Sequence, residues 1–329
     1  MYHQNKSITD CLKIHYNIEA DTLLYLPLGA DPNASVYKVV AKDGSAYFVK
    51  QKYGVYNDIH LAVLELLHHA KIEEIIYPIQ TIHSQLAQQA ADFSLIVYPF
   101  VEGENGFSHT LNDEQWFKLG QVLHQIHQMN VPASLQQKLR RELYSPKWRD
   151  QIKMLYREIG TQSSADEMAL SLLAFLKENG AIIQRLVDHA EEFAHKLQHH
   201  SVEFVLCHSD IHAGNVLISA DNAFYIVDWD EPILAPKERD LMFVGGGVGN
   251  VWNQPYEEEV FYKGYGQTEV NAEILAYYRC ERIVEDNAIY THELLSPTAS
   301  SADRAEMYKH LMDQFEPNGV VEIALKTRF

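Results

Sequence analysis

The run "NVLIS-ADNA-FYIVD" over residues 215–228 is two β-type segments around a polar turn. A hairpin of this form folds its ends together, so Asn215 and Asp228 become neighbours. That pairing constrains the chain more than any other local feature. It places an amide carbonyl beside a carboxylate, two hard oxygen donors of the kind Mg²⁺ selects together with phosphate oxygens. Just upstream, "HSDIHAGN" sets His208, Asp210 and Asn215 in the spacing H-x-D-x-x-x-x-N. Asp210 cannot easily join the same ligand pair from the same strand end. Its carboxylate instead suits proton acceptance from an incoming nucleophile. Gly214 allows the backbone to turn tightly before Asn215.

The 329 residues, 47% of them apolar, exceed what one core usually needs, so two lobes are expected. The net charge of −18 disfavours nucleic acid and anionic membrane as partners and favours a cationic one. Neither a signal-peptide pattern nor an apolar stretch of spanning length is present, and the three cysteines (Cys11, Cys207, Cys280) are scattered. These features point to a cytoplasmic protein without a disulfide framework. The histidines show neither His-Glu-x-x-His nor a Cys-x-x-Cys companion, so zinc is not expected.

Along the chain, residues 22–28, 35–41 and 46–51 read as strands separated by "GADPN" and "KDG". Residues 57–70 carry Ile59, Val63, Leu66 and Leu67 at helical spacing behind a capping Asn or Asp. "IIYPIQTI" and "FSLIVYPF" read as two further strands. This part, residues 1–100, is expected to be a small sheet with one helix. After "VEGENG" the pattern turns helical over 112–129, 147–160 and 165–199, then again from about 256 to 315. The expected architecture is α+β: a sheet-rich lobe, a connection near 98–103, and a helical lobe over 101–329 holding the hairpin. "GGGVGN" at 245–250 lacks the Lys-Ser/Thr ending of a phosphate loop and reads as a turn.

"HSDIHAGN" followed by "IVDWD" resembles the catalytic loop and metal-binding segment of the aminoglycoside phosphotransferase and protein-kinase-like family. Ser209 after the loop His, and Trp229-Asp230 after the metal Asp, depart from the protein kinases and favour the small-molecule kinases. The resemblance covers most of the chain and implies a bilobal kinase-like fold with ATP as co-substrate and Mg²⁺ on Asn215 and Asp228. It implies Asp210 as the base and Lys50, in "AYFVK", on the nucleotide phosphates. "IVYPFVEG" matches the adenine linker, with Tyr98 as gatekeeper, the Pro99 carbonyl as acceptor and the Val101 N–H as donor. Proline keeps its carbonyl and lacks only the N–H. The phosphate-covering flap falls on 28–37, with backbone N–H groups around Asn33–Ser35 near the phosphates. The acidic partner of Lys50 is expected at Asp58 or Glu65. By the same match His208 buttresses the loop and Asp240, in "KERDLMF", braces it, while the role of His212 stays open.

Residues 230–329 hold 18 acidic and 9 basic residues, half of the net negative charge. A cationic acceptor docking there would meet Asp230 and Glu231, or Glu281, Glu285 and Asp286 on one helix, with Trp229 stacking on a ring. Arg282 and Asp286 also stand as an i, i+4 pair. Within the family these segments look most like the spectinomycin phosphotransferases, which implies antibiotic resistance by phosphorylation of a dicationic aminocyclitol. Kinases of choline, homoserine, methylthioribose or fructosamines share the loop and are the alternatives, with a non-catalytic kinase-like binding protein behind them.

Overall fold

The computed structural model describes residues 2–27, 33–54, 58–90, 92–159, 166–199, 201–249, 251–295 and 301–327. The chain divides into two compact units. One comprises Met1–His109, Val131–Lys138 and Asn215–Glu231, the other Thr110–Asn130, Leu139–Gly214 and Pro232–Phe329. The hairpin thus clusters with the N-terminal unit although it lies far along the chain.

In the first unit the strands Ala20–Leu26, Ala34–Ala41, Ala46–Tyr53, Phe93–Pro99 and Gln88–Gln89 form one antiparallel sheet in that order. Alternation along the strand Ala46–Tyr53 buries Val49 and Gln51 on one face and leaves Lys50 on the other. The Val49 face packs on Ile8, Cys11 and Leu12 of the helix Tyr2–Tyr16, with Val39, Leu95 and Val97 completing the core. This helix adds to the expected one, which spans Ile59–His69. "IIYPIQTI" is not a strand. Pro78 has no N–H to give a ladder, and this stretch touches its neighbours through isolated contacts such as the Ile79 N–H to the Val97 carbonyl, the Ile82 N–H to the His15 carbonyl and the bridge of Ile75 to Ile226.

The expected hairpin is present: Val216–Ser219 pairs antiparallel with Phe224–Ile226, Val216 opposite Ile226, and Gly103–Asn105 adds a third strand. The Val227 N–H donates to the Asn215 carbonyl at 2.9 Å, so pairing continues to the end where Asp228 follows.

The second unit is mainly helical. A hydrophobic core lies where the helix Ala272–Leu295 packs against Gly180–Leu197, Lys147–Glu158 and Glu167–Glu178. A separate pair, Asp113–His127 and Pro255–Tyr265, approaches closely because two glycines remove the side chains between them. A methyl group on Gly120 would overlap the Phe261 carbonyl, and one on Gly264 the Phe117 carbonyl. This close approach sets His127 and Tyr265, at the ends of the two helices, within hydrogen-bond distance of each other (2.7 Å). The strand Val205–Cys207, antiparallel to Ile233–Ala235, leads directly into the His208–Asn215 segment. No described helix is long and apolar enough to cross a membrane.

Gly264→Ala is therefore expected to force the helix pair apart and cost about 1–3 kcal/mol. Urea unfolding should show a lower midpoint with an unchanged slope, and an unaltered midpoint would contradict the packing described.

Candidate functional site

In the first unit, Lys50 Nζ lies 2.7 Å from Asp230 Oδ2 and 3.4 Å from Asp228 Oδ1, and Lys52 Nζ also lies 2.7 Å from Asp230 Oδ2. Burial alone would lower the Lys50 pKa, but Asp230 and Asp228 outweigh it and raise the value. Burial would raise that of Asp230, yet Lys50 and Lys52 hold its carboxyl down at about 2. Asp228 takes a left-handed backbone conformation, φ +61°, which an L-residue adopts at a cost of about 1–3 kcal/mol. Its side chain stays 49% exposed. Asn215, half-buried, stands at the same hairpin end. An exposed carboxylate with an amide oxygen nearby suits a hard divalent cation bridging to phosphate, so the donor set fits Mg²⁺.

Several expectations on this side change. Asp58 and Glu65 are both exposed, and neither forms an ion pair with Lys50, whose partners come from the hairpin end. Asp230 is engaged by two lysines and is not available to a substrate cation. Trp229 is 4% exposed and its indole N–H donates to the Ile226 carbonyl at 3.0 Å, so its ring is packed and not offered to a sugar. Ser35 lies within the strand Ala34–Ala41, opposite Gln51. Residues 28–32 of the expected flap fall outside the described residues. Tyr98 and Pro99 end the strand Phe93–Pro99, opposite Phe48 and Tyr47, and the half-buried Val101 follows them.

The second unit holds the rest of the loop. Asp240 is fully buried, and its two oxygens accept from the backbone N–H groups of His208 (2.9 Å) and Ser209 (2.8 Å). His127 Nε2 lies 3.1 Å from the same carboxylate, and its Nδ1 lies 2.7 Å from the Tyr265 hydroxyl. The charge geometry assigns the proton to Nε2, donating to Asp240, with Tyr265 donating to Nδ1. Burial would raise the Asp240 pKa, but the His127 hydrogen bond, its charge interactions and the loop N–H keep it low. Ser209 sits at φ +78°, another left-handed residue, anchored through its own N–H. The Cys207 thiol beside this cluster points at the Ala235 and Pro236 carbonyls, and burial pushes its pKa well up. His127 and Asp240 therefore form a hydrogen-bonded brace with Cys207 beside it, and a thiol held protonated is a poor metal ligand.

Asp210 follows, half-buried, its N–H directed at His208 Nδ1 (3.3 Å). Arg282, 72 residues along the chain, places Nη1 2.5 Å from Asp210 Oδ1. Its Nε reaches Asp286 Oδ1 at 2.9 Å. Sequence periodicity identified the Arg282–Asp286 pair but gave no sign of the contact with Asp210. His212 Nε2 lies 3.6 Å from Asp210 Oδ2, and the Gly214 N–H donates to His212 Nδ1 at 3.0 Å. Burial would raise the Asp210 pKa, but Arg282, then His212 and His208, hold its carboxyl far below the usual carboxylate range. A cleft lined by Phe243, Gly246, Arg282, Asp286 and Gln314 opens here.

Of the acidic residues expected to meet a cationic acceptor, Glu281 is 6% exposed and bound to the buried Arg149 at 2.8 Å, a structural pair. Asp286 is shared between Arg282 and Gln314. Glu285, half-buried near Arg239 and Arg282, and the exposed Glu231 retain surface.

The chain matches the sequence profile of the phosphotransferase enzyme family over residues 25–267. A spectinomycin phosphotransferase in complex with ADP and spectinomycin is 48% identical, with a TM-score of 0.92 and 98% of each chain covered. An AMP-bound spectinomycin phosphotransferase structure is 45% identical, with a TM-score of 0.89, over 98% of this chain and 99% of that one. A choline kinase from Streptococcus pneumoniae, 16% identical with a TM-score of 0.57 over 94% of this chain and 98% of its own, shares the fold alone.

The Asp230 ion pairs carry a pH signature. Its folded pKa lies below the unfolded value, so its stabilisation is present above the unfolded pKa and is lost as pH falls toward about 2. Asp230→Asn should remove on the order of 2 kcal/mol of stability at neutral pH. The variant and the parent should converge in acid denaturation below that window. Equal stability of the two at pH 7 would contradict the assignment.

Proposed function

The chain belongs to the phosphotransferase enzyme family, and on that premise we propose that it moves the γ-phosphate of ATP to a hydroxyl of spectinomycin. The reading rests chiefly on the likeness, over 98% of both chains, to a protein whose structure holds ADP and spectinomycin. The net charge of −18 suits a dicationic acceptor and a soluble small-molecule reaction in the cytoplasm, where ATP is available.

Phosphoryl transfer asks the protein mainly for positioning and charge stabilisation. In this reading Lys50, kept protonated by Asp228 and Asp230, meets the phosphates of the nucleotide. Asn215 and Asp228 would hold Mg²⁺, which would supply charge neutralisation for the transferred phosphate. Pro99 and Val101 present backbone acceptor and donor groups to adenine beside Tyr98. Asp210 orients the acceptor hydroxyl and receives its proton late in the transfer. Its depressed pKa agrees with that timing, because a weak base gains the proton only once the oxygen has become strongly acidic. Asp240 and His208 keep the loop that bears Asp210 in one conformation.

ATP consumption with spectinomycin, a kanamycin-type aminoglycoside, choline and homoserine tests the acceptor. Turnover with spectinomycin is expected, and turnover with choline or homoserine but not spectinomycin would overturn it. Asp210→Asn should lower kcat by at least about 100-fold while leaving the KM for ATP nearly unchanged. Activity within a few-fold of the parent would remove Asp210 from the role of base.

A further inference from the structure

Arg282 belongs to neither the nucleotide nor the loop motif, yet its Nη1 lies 2.5 Å from Asp210 Oδ1. Its guanidinium is held from three sides. Nη1 meets Asp210, Nε meets Asp286, and the plane lies 5.8 Å from the Phe243 ring centroid. Asp286 is anchored behind it by Gln314 Nε2 at 3.1 Å. The Arg282 and Asp286 side chains are 21% and 13% exposed, so this is not a solvated surface pair. Asp210 and Asp286 are both carboxylates in one partly buried place with a cation between them; Arg282 outweighs burial at Asp210, while at Asp286 burial leaves the pKa raised. Arginine fits because its rigid fork addresses two acceptors in fixed directions, whereas lysine supplies only a point charge.

We propose that Arg282 is a positioning residue for the base: it fixes Asp210 Oδ1 from the helix Ala272–Leu295, with Asp286 and Gln314 fixing Arg282 in turn. His212 stands on the Oδ2 side, its Nε2 3.6 Å from Asp210 Oδ2 and its Nδ1 accepting from the Gly214 N–H. The charged and titratable groups facing Asp210 are Arg282 and Asp286 from the helix and His208 and His212 from the loop. The proposal rests on the reading of Asp210 as the base of a phosphotransferase.

The test compares Arg282→Gln, Arg282→Lys and Asp286→Asn in the full chain. Two readouts are used: steady-state kinetics with ATP and spectinomycin, and the pH titration of the Asp210 side-chain carboxyl carbon by ¹³C NMR. Arg282→Gln should lower kcat about 100-fold with little change in the KM for ATP, the scale of a misplaced reacting group. Removing the cation raises the Asp210 pKa, so the carboxyl should titrate at higher pH and the acid limb of kcat/KM should follow. Arg282→Lys should restore the titration toward that of the parent but only part of kcat, because charge returns without the fork. Asp286→Asn, which leaves Asp210 and Arg282 intact, should lower kcat less than Arg282→Gln. The inference is overturned if Arg282→Gln titrates like the parent and turns over within twofold. A parent without transfer to any acceptor would sink the proposed function, and the NMR arm would still decide whether Arg282 holds Asp210.

Discussion

The buried carboxylate of Asp240 is the interaction on which the helical unit's chemistry depends. It joins four pieces of backbone that sequence keeps apart: the loop at His208 and Ser209, its own short helix Glu238–Leu241, and, through His127 and Tyr265, the glycine-packed pair Asp113–His127 and Pro255–Tyr265. A buried charge of this kind survives only with several donors aimed at it. Here the donors are two loop N–H groups and a histidine that a tyrosine locks in one tautomer. The arrangement also sustains the left-handed Ser209, whose strain is borne by an anchored N–H rather than released into the loop. Asp210 is thereby delivered from a backbone with little freedom to move.

Charge in both units follows one rule. Each carboxylate with a proposed role beside the reaction is met by a cation: Asp228 and Asp230 by Lys50 and Lys52, Asp210 and Asp286 by Arg282. For Asp210 and Asp230 the pairing outweighs burial and holds the carboxyl down. It also means that a cationic acceptor cannot simply take the first acidic side chain. Asp210, Asp230 and Asp286 are engaged by cations, while Asp228, Glu231 and Glu285 keep part of their surface.

What was legible in the sequence was mainly local. The hairpin could be read because two β-type runs flank one polar turn, and Lys50 because "AYFVK" resembles the family's nucleotide-binding strand. The helix Ala272–Leu295 was legible as a helix, but periodicity does not say what a helix faces, so the reach of Arg282 to Asp210 across 72 residues was invisible. Two of the acidic candidates are engaged for the same reason: Glu281 by Arg149 and Asp230 by two lysines, all long-range partners. Trp229 beside the metal motif suggested a stacking platform, yet its indole N–H finds a carbonyl three residues back and the ring turns inward. Ile8, Cys11 and Leu12 carry helical spacing at the N-terminus, but only the exposed sheet face they cover gives that spacing a purpose. In "IIYPIQTI" apolar content outweighed the one residue that mattered, Pro78.

The most direct measurement of this account is amide hydrogen exchange at His208 and Ser209 in Asp240→Asn, alongside steady-state kinetics of the same variant. Removing the charge leaves one loop N–H facing an amide that cannot accept it. The two loop amides should then exchange much faster while the helix Ala272–Leu295 keeps its protection, and kcat should fall with the KM for ATP unchanged. Unchanged exchange at both amides together with parental kcat would contradict the claim that Asp240 holds the loop in its working conformation.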